Sequence, residues 1–396
     1  MKFEDTKTAY SLKTDHELYK AYLLFKIFSN HFLVRIGSKL ALFAIRLGLP
    51  LDGLFKKTVF YQFCAGDAED DSIAVVNALS NLNVNSYMHF ASEGQKTEQG
   101  MDDSLARVLE TLTISKHNDA LPFAVFKSTA LGPVDLFEKK TSGTALNHEE
   151  TKAWDRAIER INQCCEFAKK ERVRLLIDAE ESWLQKAIDE IALDLMRKFN
   201  TSKEPLIYNT VQMYRKDRME YLKELIHTAR KDNFQVGIKL VRGAYIEKEK
   251  NRAHEMGYPS PICESKQATD QNFNEGLEFI LTSLSQCELF LGSHSEDSTS
   301  RVIHWMKENQ LANSHSRIWF SQLYGMADHI SFNLAAAGYQ VIKYVPYGPI
   351  SEVIPYLIRR AEENTSIQGQ TPRELSLIKK ELTRRKKLGQ VKGDDF

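Results

Sequence analysis

The 396-residue sequence predicts an α/β fold, a parallel (βα)8 barrel preceded by a helical arm. Eight short β-rich runs follow one another between residues 86 and 346, with amphipathic stretches long enough for helices between them. Strands that alternate with helices build parallel sheets, because each crossover needs a connection of helix length. Polar residues gather at the C-terminal ends of these runs, where a barrel carries its site. The length also suits a barrel of ~250 residues with extensions.

In chain order, residues 1–80 form the arm. ELYKAYLLFKIFSN (17–30) and LVRIGSKLALFAIRLG (33–48) repeat apolar residues every three or four positions, interrupted by Lys26, Arg35, Lys39 and Arg46, and Gly48 and Pro50 close them. Packing on the main body is the expected role, with a membrane-surface helix as the alternative. Residues 81–370 form the barrel. Its strand runs are 86–92, 123–130, 174–180, 206–213, 235–243, 288–294, 318–325 and 339–346, and its helical stretches are 149–171, 181–200, 214–232, 270–286, 297–312 and 328–337. Residues 371–396 read as a helix fading into a solvated tail, with no function assigned.

Composition narrows the function. Hydrophobic residues at 42% and charged residues at 27% describe a folded chain. Lys plus Arg and Asp plus Glu are both 53, a net charge of zero, which argues against a bulk nucleic-acid binder. Five cysteines without CxxC spacing give neither a disulfide framework nor a zinc site, so a reducing compartment is expected. No uncharged apolar run approaches the ~18 residues of a membrane span. MKFEDTKTAY lacks an apolar signal core, so the expectation is a cytoplasmic protein. No GxGxxG or P-loop follows a strand, no HxH or HExxH supports a metal, and Ser321 lacks a GxSxG elbow.

Three segments carry candidate chemistry. In DAEES (178–182), Asp178 and Glu180 are two apart and would share one side of a strand, fit to hold a divalent cation or divide acid and base work. Alternatively one caps the helix starting near Ser182, and capping is expected of at least one. In PYLIRRAEEN (355–364), Tyr356, Arg359, Arg360 and Glu363 fall on one helix face, and two guanidiniums there can clamp a carboxylate. In KLVRGAYIEKE (239–249), Gly243 and Ala244 permit close backbone approach of a ligand, Lys239 and Arg242 can counter a pyrophosphate, and Tyr245 can line a ring pocket. Glu93, Lys127, Gln212, His294, Gln322 and either Lys343 or Tyr344 complete the set of polar strand ends.

Taken together and in this order, LIDAE, LVRGAY, QLYGM and YLIRRAEEN resemble proline dehydrogenase, over roughly residues 60–370. The resemblance implies a distorted barrel that holds FAD without a dinucleotide fingerprint. It implies that Arg359, Arg360 and Lys127 bind the carboxylate of L-proline, and that Tyr344, Tyr356, Tyr245, Ala244 and Leu323 enclose its ring. Glu93 would pair with Arg359 as a gate, and Asp178 would hold the basic cluster in place. Flavin contacts would come from Gln212, Lys239, Arg242, Gly243, Ala244, Gln322, His294 and Glu363, with Lys266 toward the phosphate or ribose. Hydride would pass from the ring carbon next to nitrogen to flavin N5, giving Δ1-pyrroline-5-carboxylate for a separate pyrroline-5-carboxylate dehydrogenase, because the chain ends at Phe396. The amine would bind neutral or lose its proton to water. Electrons would go to a membrane quinone, with the cationic helices at 17–47 as a peripheral docking surface on the inner face of the membrane. The same chemistry on hydroxyproline is the alternative; a barrel metalloenzyme and a non-catalytic scaffold are the readings from other classes. His89, where relatives commonly carry aspartate, and Ile246, where long relatives carry an aromatic residue, depart from the family pattern.

Overall fold

The computed structural model describes residues 2–30, 32–34, 37, 53, 56–90, 95–366 and 370–389. Its eight strands are β1 Val84–Phe90, β2 Phe123–Lys127, β3 Arg174–Asp178, β4 Ile207–Gln212, β5 Val236–Val241, β6 Cys287–Gly292, β7 Ile318–Leu323 and β8 Val341–Tyr347. All pair in parallel, in the order β1-β8-β7-β6-β5-β4-β3-β2, with helices between successive strands. The barrel is nearly closed. Its seam lies between β1 and β2, where the Ser86 N–H donates to the Ala120 carbonyl at 2.8 Å.

All eight expected runs are strands, with ends displaced by a few residues; Ser128–Ala130, for example, leave β2 as a 3-10 turn. Alternation divides two cores. Leu175 and Ile177 of β3 pack outward against helices, whereas Leu176 joins Tyr87, Phe123, Tyr208, Phe290, Trp319 and Tyr344 inside the barrel. Phe123 closes the floor, with ring centroids 5.1–5.3 Å from those of Phe290, Trp319 and Tyr208. The interior is therefore filled from below and opens at the C-terminal ends of the strands.

Helices Glu69–Ser80, Glu98–Lys116, Val134–Ser142 and Ile246–Met256 lie outside the helical stretches read from sequence. The reason is visible in their buried faces. Glu98–Lys116 buries Ser104, Thr111 and Ser115 together with Met101 and Leu112, and Ile246–Met256 buries only Glu249 and Ala253, so polar residues occupy much of the buried face of both.

The first part of the arm packs on the body, as expected. Helix Asp15–Phe28 starts with a reciprocal cap, in which Thr14 Oγ1 accepts from the Glu17 N–H and Glu17 accepts from the Thr14 N–H. It buries Leu18, Ala21, Leu24, Phe25 and Phe28, and Phe28 stacks on Phe63 at 5.9 Å. Helix Gln370–Lys387 lies beside it, and Arg385 donates to the Tyr10 and Lys13 carbonyls and to Asp15 at 2.8–2.9 Å. The described part of the C-terminal tail thus belongs to the body. Most of 33–48 lies outside the described residues.

QLYGM gains a physical explanation here. Gly325 has φ +74°, and a Cβ on it would stand 1.6 Å from the Gln62 carbonyl oxygen. Gln62 donates its side-chain amide to the Gly325 carbonyl at 2.6 Å, so the segment closing the arm lies directly on this turn.

Candidate active site

A cavity of about 1000 Å³ opens at the C-terminal ends of the strands. At its deep end stand Lys127 from β2, Asp178 from β3, Lys239 from β5 and Tyr344 from β8, with Tyr356, Arg359 and Arg360 above them on helix Ile350–Ser366. Lys127 and Asp178 are register partners on adjacent strands. Lys239 Nζ donates to Asp178 Oδ1 at 2.5 Å, and both side chains are largely buried. Burial opposes the charge on each, but the attraction between them prevails. The Asp178 carboxyl is held below its usual range and the Lys239 ammonium above its own. The Lys239 ammonium also lies 5.2 Å from the centre of the Tyr87 ring and 5.7 Å from that of Tyr344. Arg360 stacks 5.1 Å from the centre of Tyr356. Ala244, Tyr245 and Leu323 line the same end.

The cavity continues to a second cluster. Arg242 donates to Asp270 at 2.7 Å and to Ser293 and Ser298 at 3.1 Å each, and Lys266 pairs with the other Asp270 oxygen at 2.5 Å. Between the two ends, Gln322 donates to the Ser293 carbonyl and accepts from Ser331, and Gln212 donates to the Glu180 carbonyl. His294 Nε2 accepts the Leu323 N–H at 3.1 Å. Burial, reinforced by Lys343 and Arg360, pushes His294 well below its usual value, so it is a neutral acceptor. Lys343 faces away from this end, bonded to Asp328 and to the Leu323 and Met326 carbonyls.

Two expectations are corrected. Asp178 and Glu180 do not share a strand face, because β3 ends at Asp178, and neither caps the following helix. Asp178 engages Lys239, whereas Glu180 turns to the N–H and hydroxyl of Thr129, at 3.1 and 2.5 Å. The helix beginning at Ser182 is capped from a distance: Ser182 N and Oγ both donate to Glu249 at 2.6 Å. Gly243 lines the cavity and has φ +131°, and a Cβ on it would meet the Tyr214 ring at 2.5 Å, so the missing side chain also accommodates Tyr214. Among the described residues, no group of three or more His, Cys, Asp or Glu side chains is placed to hold a metal.

Of the residues singled out from sequence, Glu93 lies outside the described residues, and Glu363 is described only as part of helix Ile350–Ser366. The other candidates for substrate and cofactor all line the one cavity. Sequence reasoning missed Glu296, His329 and Arg373, which line it too: Glu296 bonds His329 Nε2 at 3.0 Å and Arg373 Nε at 2.7 Å. Arg373 comes from the tail, and no local pattern marks it.

Glu180 gives a pH signature. Burial pushes its carboxyl up to about 7. A carboxyl raised on folding favours the folded state below its unfolded value of ~4, and that contribution fades as pH rises through the folded value. Glu180→Gln cannot ionise. Its melting temperature relative to the wild type is expected to rise between pH 5 and pH 8, and parallel melting profiles would contradict this assignment.

Fold and site define a parallel-barrel enzyme with a cation-lined small-molecule cavity at the strand ends. The family model for proline dehydrogenase matches residues 72–373. The chain belongs to the proline dehydrogenase family and is an oxidoreductase of that family. It is 33% identical to the carbapenem antibiotics biosynthesis protein CarD of Pectobacterium carotovorum, over 89% of this chain and 91% of that one. It is 30% identical to proline dehydrogenase 1, mitochondrial, of Dictyostelium discoideum (96% and 74% covered), and 33% identical to the hydroxyproline dehydrogenase of Bos taurus (95% and 92%). The fold matches the crystal structure of proline utilization A from Bdellovibrio bacteriovorus with a TM-score of 0.70 at 19% identity, covering 92% of this chain and 38% of that one. This chain thus spans well under half of that larger protein.

Proposed function

We propose that this protein oxidises L-proline to Δ1-pyrroline-5-carboxylate with FAD as hydride acceptor. The carrying observation is the convergence of Lys127, Arg359 and Arg360 on one end of a cavity walled by Tyr245, Leu323, Tyr344 and Tyr356. FAD fits the residues present. The cavity matches the upper end of the ~300–1,000 Å³ usual for ligand sites. Arg242 and Lys266 offer charge for a pyrophosphate, and Gln212, Lys239, His294 and Gln322 offer polar partners nearer the clamp. When bound, FAD supplies a two-electron acceptor at N5.

The chain's own residues supply orientation. The three cations fix the carboxylate, and the aromatic walls exclude water from the ring, restricting a small substrate to one pose. Asp178 keeps Lys239 charged and in place. The oxidation removes a hydride from the ring carbon beside nitrogen and one N–H proton, which leaves to water from an amine bound neutral. The product passes to a separate pyrroline-5-carboxylate dehydrogenase.

Hydroxyproline is the second reading, favoured by the hydroxyproline dehydrogenase relative that spans nearly the whole chain. A ring hydroxyl against these walls without a partner costs about 1–3 kcal/mol, a factor of roughly five to a hundred and fifty. The kcat/KM for L-proline, measured with a soluble electron acceptor, is therefore expected to exceed that for 4-hydroxy-L-proline at least about fivefold. A reversed ratio favours the second reading.

We further propose that the protein is cytoplasmic and that a membrane quinone is its electron acceptor, reached by peripheral contact through the arm on the inner face of the membrane. Among the described residues no helix is long and apolar enough to cross a membrane. Leu23, Ile27, Phe32 and Leu33 are exposed on the arm, with Phe32 70% accessible. Phe32→Ser with Leu33→Ser is expected to reduce co-sedimentation with anionic vesicles while leaving turnover with a soluble acceptor intact. Unchanged co-sedimentation removes the docking proposal.

A further inference from the structure

We propose that His89 is a positioning residue that fixes Tyr344 in the cavity wall without adding charge to the cationic end of the site. The proposal rests on the reading of that end as the carboxylate clamp.

Strand pairing brings the two residues together. β1 lies beside β8 with Tyr87 opposite Tyr344, and His89, two residues further along, points to the same interior face. The Tyr344 hydroxyl and His89 Nδ1 are 2.7 Å apart, the rings stack at 5.5 Å with 30° between planes, and both residues are buried. The Tyr344 ring in turn touches Tyr87 and Tyr356, with centroids at 5.1 and 6.1 Å. One hydrogen bond therefore fixes the ring that separates the Lys239–Asp178 pair from Tyr356 and Arg360.

The surroundings decide the protonation states. Facing His89 are Asp178 from β3, Lys127 from β2, Lys239 from β5 and Arg359 from helix Ile350–Ser366. Burial, helped by the three cations, brings the imidazole down to about 4 against the pull of Asp178, so it is neutral at ordinary pH. Burial also raises the Tyr344 phenol well above its usual value, so it keeps its proton. In this proposal the phenol donates to Nδ1, which puts the imidazole proton on Nε2. A carboxylate here would also hold the phenol, but it would cancel one positive charge and compete with a substrate carboxylate for Lys127 and Arg359. Histidine orients the tyrosine and leaves the cations for the ligand.

The test joins kinetics to a measurement independent of turnover. In the wild-type protein, side-chain 15N spectra of His89 should show the Nε2–H tautomer from pH 5.5 to 8.5, with a shift of the Nδ1 signal in Tyr344→Phe. His89→Leu is expected to lower kcat/KM for L-proline at least about tenfold, largely through KM, and His89→Asn, which keeps an acceptor near the same position, to restore most of it. His89→Asp should raise KM. In the Tyr344→Phe background, His89→Leu should change little further. Wild-type kinetics in His89→Leu, or losses that simply add in the double variant, overturn the proposal. If the wild type does not oxidise L-proline, the functional reading fails first. The spectra then still judge the pair: an Nε2–H tautomer sensitive to Tyr344→Phe upholds the positioning bond, and any other state refutes it.

Discussion

Lys239→Met is expected to leave a protein about 3–5 kcal/mol less stable and unable to retain its cofactor, the largest effect of any single substitution in the site. Removing the ammonium strands the Asp178 carboxylate beneath the cavity, without the partner that it meets at 2.5 Å. The loss comes from that uncompensated charge more than from the worth of the pair. The double substitution Lys239→Met with Asp178→Asn should therefore recover much of the stability, since neutralising both partners of a buried pair is often tolerated. Cofactor retention should not recover, because Lys239 itself is proposed to contact FAD. Urea unfolding and the flavin absorbance of the purified proteins separate the two effects. A double variant no more stable than the single one would contradict this account of the pair.

Arg360→Leu is expected to raise KM for L-proline by roughly a hundredfold with little change in flavin content. Truncating one charged partner of a buried ionic contact typically costs ~2–5 kcal/mol, and ~2.7 kcal/mol is a factor of a hundred. Arg360 is buried against Tyr356, so a leucine replaces its bulk while removing the planar fork of donors. Arg360→Lys should restore only part of the affinity, because an ammonium cannot reproduce bidentate pairing on a carboxylate. Unchanged KM in Arg360→Leu would remove this residue from the clamp.

The barrel was legible because its signals are local. Leu175, Leu176 and Ile177 form a continuous apolar run along β3, as expected of a strand buried on both faces, and each run is separated from the next by a stretch long enough for a helix. The deep end of the site was legible for a related reason: chain direction in a parallel barrel brings every strand's C-terminal end to one mouth. What escaped depends on contacts distant in sequence. Glu249 caps Ser182 from 67 residues away, Thr129 claims Glu180 across 51, and Gln62 reaches Gly325 across 263. No spacing rule links such pairs. Gly243 illustrates the same limit, since its need for φ +131° is a local matter but its neighbour, Tyr214, belongs to another loop. Arg373 was missed because its helix carries the charge pattern of a solvated tail, yet Arg373 itself lines the cavity.

The most direct test of the central claim is the absorbance spectrum of the purified protein before and after L-proline is added without oxygen. The account predicts flavin bands, present on purification or after reconstitution with FAD, that bleach when L-proline is added. A protein that takes up no flavin, or whose flavin bands persist with L-proline, would contradict it.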